Sequence, residues 1–141
     1  MKAYLLDVNV LLALSWPGHK FHERVQGWFE RHGAKAWATC PMVQAGFVRI
    51  VSNPAFSPRA VSPKEALDSL AANTQHPGHQ FWPDDISLAE GLMSLQGRIV
   101  GHQQITDAYL LALAIHHRGK LATLDRGIAA WGSASAVELI G

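Results

Sequence analysis

Short apolar runs alternate with segments of helical periodicity along the chain, and this alternation is the feature that most limits its fold. The apolar runs predict strands at residues 3–6, 36–39, 80–82, 121–124 and 136–140. The intervening segments predict helices at residues 10–14, 19–32, 41–52, 62–73, 87–95 and 105–117. Strands that alternate with helices form a mainly parallel sheet with helices on both faces. We therefore expect an α/β fold with four to five short strands.

Local signals mark several boundaries of these elements. Ser62 with Glu65, and Ser87 with Glu90, form capping boxes at the starts of two helices. Proline and glycine predict loops at 53–61 and 97–103 and a turn at 131–133. Because ligands of parallel sheets bind beyond the carboxyl ends of the strands, polar residues at those ends are the first candidates for a site.

The size and charge of the chain exclude several classes of protein. A chain of 141 residues with 48% hydrophobic and 16% charged residues is expected to form one globular domain, 1–141, and not a disordered chain. The net charge of +1 excludes a general nucleic-acid coat protein. With Cys40 as its one cysteine, the chain forms no internal disulfide, and we expect a cytoplasmic protein without a signal peptide or membrane span.

Asp7 is the first candidate, because it interrupts the apolar run MKAYLLDVNVLLAL. A buried carboxylate costs several kcal/mol unless it is paired, hydrogen-bonded or bound to a cation. We expect the first strand to end at Asp7, so that its side chain lies at the carboxyl edge of the sheet. Asn9, two residues later, can orient a carboxylate or a water molecule.

Two further aspartates can reach the same edge. Asp125 follows the predicted strand at 121–124, although a turn aspartate would also suit this position. Asp107 lies in the first turn of the predicted helix at 105–117, where complementing the helix dipole is an alternative role. Carboxylates about 5 Å apart repel by about 3 kcal/mol per pair at an effective dielectric of about 20. Oxygen ligands of this kind favour Mg²⁺ or Mn²⁺, which would relieve the repulsion.

Four segments together resemble the PIN-domain ribonucleases, and in particular the VapC-type toxins of toxin–antitoxin pairs. They read LLDVNVLLAL, CPMVQAGFVRIVSNP, FWPDD and ITDAYLLALAIHHRGKLATLD, and the resemblance covers nearly the whole chain. It implies a three-layer α/β/α sandwich in a single PIN domain and a Mg²⁺- or Mn²⁺-dependent endoribonuclease. It also implies a cognate VapB-type antitoxin, a homodimer, and transfer or ribosomal RNA as possible substrates.

By position, the resemblance assigns catalytic roles to Asp7, Asp107 and Asp125, with Asp7 and Asp107 as metal ligands. It places Asn9, Gln44 and Thr123 around the metal. Gln44 departs from the family pattern, because many members carry a glutamate on this helix. A glutamine brings no charge, so metal affinity should be lower unless another acid compensates. The unplaced candidates for that acid are Asp84, Asp85 and Glu138.

Two other functions remain open from the sequence. Gln44 is compatible with a PIN fold that binds RNA or an antitoxin but cleaves poorly. A phosphatase of the haloacid dehalogenase type also begins with an aspartate after its first strand, but that chemistry normally uses a second aspartate two residues later, where this chain has Asn9.

Other residues carry weaker signals. The eight histidines, including His116 and His117, show no zinc-binding spacing, and we interpret them as surface or helix-end residues. Basic residues near the predicted site are Arg49, His102 and Arg126, for which RNA contact and a solvated surface are equally good interpretations. Trp28 and Trp131 fit either the core or a dimer interface.

Overall fold

A five-stranded parallel sheet forms the centre of the protein, in a computed structural model that describes residues 2–56, 59–93, 95, 101–131 and 135–141. The strands are β1 (Tyr4–Leu6), β2 (Trp37–Thr39), β3 (His79–Phe81), β4 (Lys120–Thr123) and β5 (Val137–Leu139). Their order is β3-β2-β1-β4-β5, and all neighbouring pairs are parallel. The expected parallel α/β sheet is therefore confirmed.

Seven α-helices lie within the described residues. They are α1 (Val8–Ser15), α2 (His22–Trp28), α3 (Pro41–Val51), α4 (Pro63–Asn73), α5 (Leu88–Met93), α6 (Ile105–His116) and α7 (Arg126–Ala129). Helix α1 packs on α2 and α3, α3 packs on α4, α5 packs on α6, and both α1 and α6 contact β1 and β4. The sheet is thus the middle layer of an α/β/α arrangement. No helix of the described part is long and apolar enough to cross a membrane.

The hydrophobic core surrounds the two central strands, β1 and β4. Leu5, Leu6, Leu121 and Ala122 are fully buried, as expected for strands covered on both faces. Helix α6 is buried along Ala108–Ala114, almost all the way round its axis. These contacts hold the first turn of α6, which carries Asp107, in a fixed position relative to the ends of β1 and β4.

Several predicted boundaries differ from the structure. The helix predicted at 10–14 begins at Val8, and the one predicted at 19–32 is α2 followed by a π-helical turn at Phe29–Gly33. Helix α7 was not predicted, because its four residues include Gly127 and follow a turn-forming aspartate. A 3₁₀ turn, His102–Gln104, occupies the end of the loop predicted at 97–103. The remainder of that loop at 97–100 and residues 132–133 of the predicted turn lie outside the described residues.

The sequence did not decide whether Trp28 and Trp131 belong to the core or to an interface, and the two have different surroundings in the structure. Trp28 is buried, packs edge-on against Tyr4 at 5.1 Å between ring centroids, and donates a hydrogen bond to Glu138. Trp28 is therefore a core residue. Trp131 is half-buried and packs against the core.

Candidate active site

Asp7 lies where β1 ends and α1 begins, as the sequence predicts. Its Oδ1 accepts a hydrogen bond from the backbone N–H of Val10 at 2.8 Å, which caps α1. Its Oδ2 accepts a hydrogen bond from the Thr123 hydroxyl at 2.6 Å. Asp7 is only 5% exposed, and these two hydrogen bonds offset part of the free-energy cost of burying its carboxylate.

The environment of Asp7 opposes its negative charge. Burial is the largest cause and raises its pKa to about 6, while the hydrogen bonds from Thr123 and Val10 lower it. The charges of Asp107 and Asp125 raise the pKa of Asp7 further. The structure therefore brings the three aspartates close enough to repel one another, although they come from distant parts of the chain.

Asp107 and Asp125 have different surroundings. Asp107 is half-buried in the first turn of α6, and burial followed by the charge of Asp125 raises its pKa. Asp125 is exposed and caps α7, with its Oδ1 accepting a hydrogen bond from the Gly127 N–H at 2.7 Å. Asp125 therefore has the turn-forming role that the sequence left open. This role uses Oδ1 and leaves Oδ2 available as a ligand.

Thr123 links the two aspartates that follow the central strands. Its hydroxyl donates to Asp7 and accepts a hydrogen bond from the backbone N–H of Asp125 at 3.0 Å. Because the donor and acceptor directions of one hydroxyl are both used, the orientation of the Asp7 carboxylate is tied to the start of α7.

The donor set fits a hard divalent cation. None of the ion pairs between described residues involves Asp7, Asp107 or Asp125, so none of these pairs balances their mutual repulsion. Their ligand atoms do not form a set within 4.8 Å, since the one such group among the described residues lies elsewhere. Mg²⁺ suits carboxylates that lie this far apart, because the ion keeps several of its water ligands and needs only one or two direct carboxylate ligands.

A cleft of about 430 Å³ lies beside Asp125, and no local sequence pattern predicts it. It is lined by Asn9, His19, Lys20, Phe21, Leu124 and Asp125. The Lys20 ammonium lies 4.8 Å from the centre of the Phe21 ring, and the Arg24 guanidinium lies at the same distance. The basic and aromatic residues at 19–24 were a possible signal, but only the fold places them beside Asp125.

The three basic residues named from the sequence have separate positions. Arg126 is exposed directly after Asp125, His102 is exposed in the 3₁₀ turn before α6, and Arg49 is exposed in the last turn of α3. None of these three residues lines the cleft, whereas Lys20 does.

Gln44 contacts the carboxyl end of β2, the strand next to β1. Its Nε2 donates a hydrogen bond to Thr39 Oγ1 at 3.0 Å, and the same hydroxyl lies 2.7 Å from His79 Nε2. Thr39 is fully buried at the end of β2, next to the end of β1. With its NH₂ group committed to Thr39, Gln44 has its carbonyl oxygen left as the acceptor.

None of the acids considered as replacements for a glutamate at position 44 is among the charges that raise the pKa of Asp7. Asp84 acts on the Cys40 thiol, Asp85 contacts His116 and His117, and Glu138 pairs with Lys120 at 3.7 Å. We therefore find no compensating carboxylate for Gln44 among these three.

Comparison with known proteins shows the family to which the chain is similar. The family model for the PIN domain matches residues 4–132. The chain is 43% identical over 136 residues to ribonuclease VapC39 of Mycobacterium tuberculosis, covering 96% of this chain and 98% of that protein. It is 44% identical over 124 residues to ribonuclease VapC38 of the same species, covering 88% and 86%.

Solved structures share the fold. M. tuberculosis VapC20, described as a sarcin–ricin loop cleaving toxin, superposes with a TM-score of 0.67 at 14% identity, covering 95% of this chain and 98% of that one. VapBC2 from Rickettsia felis, bound to a promoter DNA fragment, gives a TM-score of 0.65 at 13% identity, covering 97% and 98%. At these identities the structures establish the architecture alone. The phosphatase alternative is set aside, because the sequence relatives are ribonucleases of the PIN family.

Proposed function

Because the chain belongs to the PIN-domain family, we propose that it is a metal-dependent endoribonuclease and the toxin of a VapBC-type toxin–antitoxin pair. The observation that carries this proposal is the convergence of Asp7, Asp107 and Asp125, whose charges act on one another at the carboxyl edge of the sheet. The relatives named ribonuclease VapC39 and VapC38 support RNA as the substrate class.

Asp7 and Asp107 are the proposed ligands of a Mg²⁺ or Mn²⁺ ion, with Asp125 as the third catalytic carboxylate. When bound, such an ion supplies an activated water and stabilises negative charge on the phosphate that is cleaved. The protein's own contribution is to hold the carboxylates: Thr123 and Val10 orient Asp7, and Gly127 orients Asp125. Asn9, exposed in the first turn of α1, can position a water molecule or the substrate at the cleft.

The cleft between Asn9 and Asp125 is the proposed RNA-binding surface. Lys20, whose ammonium lies over the Phe21 ring, offers a cation for a phosphate. Lys20 and Asp125 line the same cleft, so a strand of RNA in it would pass the Asp125 carboxylate. The exposed side chain of Arg126 extends the positive charge on the other side of Asp125.

A VapB-type antitoxin is the proposed partner. Structures with the same fold include a VapBC2 complex and a toxin–antitoxin complex from Klebsiella pneumoniae. The proposed assembly also includes a homodimer of the toxin. Transfer or ribosomal RNA is the proposed target, and the cytoplasm, where such RNA is found, is the proposed location.

One observation favours a second candidate, a PIN protein that binds RNA or antitoxin but cleaves slowly. Gln44 adds no negative charge to the site, and its amide group is bonded to Thr39. A site with one charge fewer holds a divalent cation less tightly, which would lower activity at a given metal concentration.

The deciding experiment is cleavage of total cellular RNA by the purified chain, free of antitoxin, with Mn²⁺, Mg²⁺ or EDTA. We expect discrete fragments that require the metal and disappear in Asp107→Asn. Asp68→Asn is the matched control, because Asp68 is an exposed helical aspartate that pairs with Lys64 on the same helix. Cleavage that persists in Asp107→Asn or in EDTA would contradict the proposal. If the wild type does not cleave RNA but Gln44→Glu does, the second candidate is supported.

A further inference from the structure

At the opposite end of α6 from Asp107, we propose a second metal site, formed by Asp85, His116 and His117 and suited to a transition-metal ion such as Zn²⁺. One ligand atom from each residue lies within 4.8 Å of the others. Asp85 Oδ1 is 2.9 Å from His117 Nε2 and 3.4 Å from His116 Nε2. No other group of this kind occurs in the described part of the chain.

The spacing of these atoms is close to that of a zinc site. Ligand atoms bound to tetrahedral Zn²⁺ at 2.0–2.1 Å lie about 3.3 Å from one another. The two separations from Asp85 Oδ1, 2.9 and 3.4 Å, bracket this value, and the ligand atoms of the two histidines lie within 4.8 Å of each other. Two imidazoles and one carboxylate leave a fourth position for water, a ligand set that favours Zn²⁺ over Mg²⁺.

The surrounding structure holds the ligands in place before a metal binds. The ring of His117 stacks on Trp82, with 4.6 Å between centroids and 15° between planes. The last turn of α6 is closed by hydrogen bonds from Arg118 to Ile115 and from Gly119 to Ala114. These contacts fix the backbone that carries both histidines and the ring of one of them.

Asp85 is also anchored to α6. The carbonyl of the next residue, Ile86, accepts a hydrogen bond from the Tyr109 hydroxyl at 2.8 Å. A metal at the site would therefore tie the segment after β3 to the helix that carries Asp107. The short spacing of the histidines did not predict the site, because Asp85 lies 32 residues before His117.

This site is distinct from the acidic one. Asp107 and His116 stand at the two ends of α6, which are about 14 Å apart along the helix axis at 1.5 Å per residue. The ligand chemistry differs as well, since the acidic site offers oxygen atoms and the second site offers mainly imidazole nitrogen. The two sites can therefore be tested separately.

The test is isothermal titration of Zn²⁺ into the full chain carrying Asp107→Asn, which weakens the acidic site. We expect about one Zn²⁺ per chain, a higher melting temperature with Zn²⁺ than with Mg²⁺, and a loss of affinity of at least about tenfold on adding His117→Gln. His32→Gln, at an exposed histidine in the π-helical turn, is the matched control and should leave Zn²⁺ binding unchanged.

Since His117→Gln also removes the stack on Trp82, the exposed Asp85 provides a second variant, Asp85→Asn, with folding checked by circular dichroism. Loss of Zn²⁺ affinity in both folded variants supports the site. Absence of Zn²⁺ binding in the parent chain, or unchanged binding in Asp85→Asn, would overturn it and leave Asp85 as a hydrogen-bond acceptor for the histidines alone. Either result is independent of RNA cleavage.

Discussion

The hydroxyl of Thr123 donates a 2.6 Å hydrogen bond to the buried carboxylate of Asp7, a residue 116 positions earlier in the chain. The bond joins the ends of the two central strands, β1 and β4. It also works against burial, because a hydrogen bond to the ionised form lowers the pKa of Asp7. The proposed metal ligand is therefore balanced between a desolvated environment that favours the neutral acid and a hydroxyl that favours the carboxylate.

Replacing Asp7 by asparagine should stabilise the metal-free protein at neutral pH. Burial raises the pKa of Asp7 from its ordinary value of 3.8 to about 6 in the folded state, so protonation stabilises the fold fully below about 3.8, and this gain is lost as the pH rises through about 6. The ionised form then costs on the order of 3 kcal/mol. In urea unfolding with EDTA from pH 4 to pH 8, the free energy of unfolding of Asp7→Asn should rise relative to that of the wild type as the pH rises.

Asp7→Asn should also abolish RNA cleavage. Loss of activity together with higher stability would separate the catalytic role of Asp7 from any role in folding. Asp68→Asn, which changes an exposed aspartate, should follow the wild-type curve of stability against pH. Parallel curves for the wild type and Asp7→Asn would show that Asp7 is not held at a raised pKa.

Metal binding should depend on the protonation of Asp7. Because the ion binds the carboxylate, Mn²⁺ affinity should fall by about tenfold per pH unit below about 6. Thr123→Val removes the hydroxyl that lowers the pKa of Asp7, so the fall should begin at a higher pH. Thr123→Ser retains the hydroxyl and is the control. A titration profile that is the same for valine and serine would remove Thr123 from this role.

Lys20→Gln should weaken RNA binding at the cleft beside Asp125. Loss of one phosphate contact reduces the slope of log affinity against log salt by about 0.7 for single-stranded RNA. Binding is measured with the Asp107→Asn protein, which does not consume the RNA, at several salt concentrations. Lys64→Gln, on the exposed face of α4, should leave the slope unchanged. Equal slopes for both variants would place the RNA elsewhere.

Gln44→Glu should increase Mn²⁺ affinity by restoring a negative charge near the ends of β1 and β2. The substitution also loses the donor that bonds to Thr39, whose hydroxyl then has both His79 and the new carboxylate as possible acceptors. We expect tighter Mn²⁺ binding with lower metal-free stability, measured by titration calorimetry and urea unfolding. Gln26→Glu, at an exposed position on α2, controls for added charge. Unchanged affinity would mean that residue 44 does not face the metal.

The order of strands and helices, and the ends of several helices, could be predicted from the sequence because these features depend on near neighbours. The capping box of Ser62 and Glu65 forms as expected, and Asp7 both ends β1 and caps α1. The burial of Asp7 was also predictable, since apolar residues surround it in the sequence. The sequence also predicted that Asp107 and Asp125 can reach the edge of the sheet where Asp7 lies, and in the folded chain the charges of both raise the pKa of Asp7.

Other features depend on packing between segments that are far apart in sequence. The cleft that brings Lys20 to Asp125, the hydrogen bond between Gln44 and Thr39, and the group of Asp85 with His116 and His117 have no local pattern that predicts them. Helical periodicity shows which face of a segment is buried, but not which distant side chain it meets. Those contacts are decided when α1 and α6 pack against β1 and β4 and α3 packs against α1, because only then do single side-chain atoms come within hydrogen-bond or ligand distance.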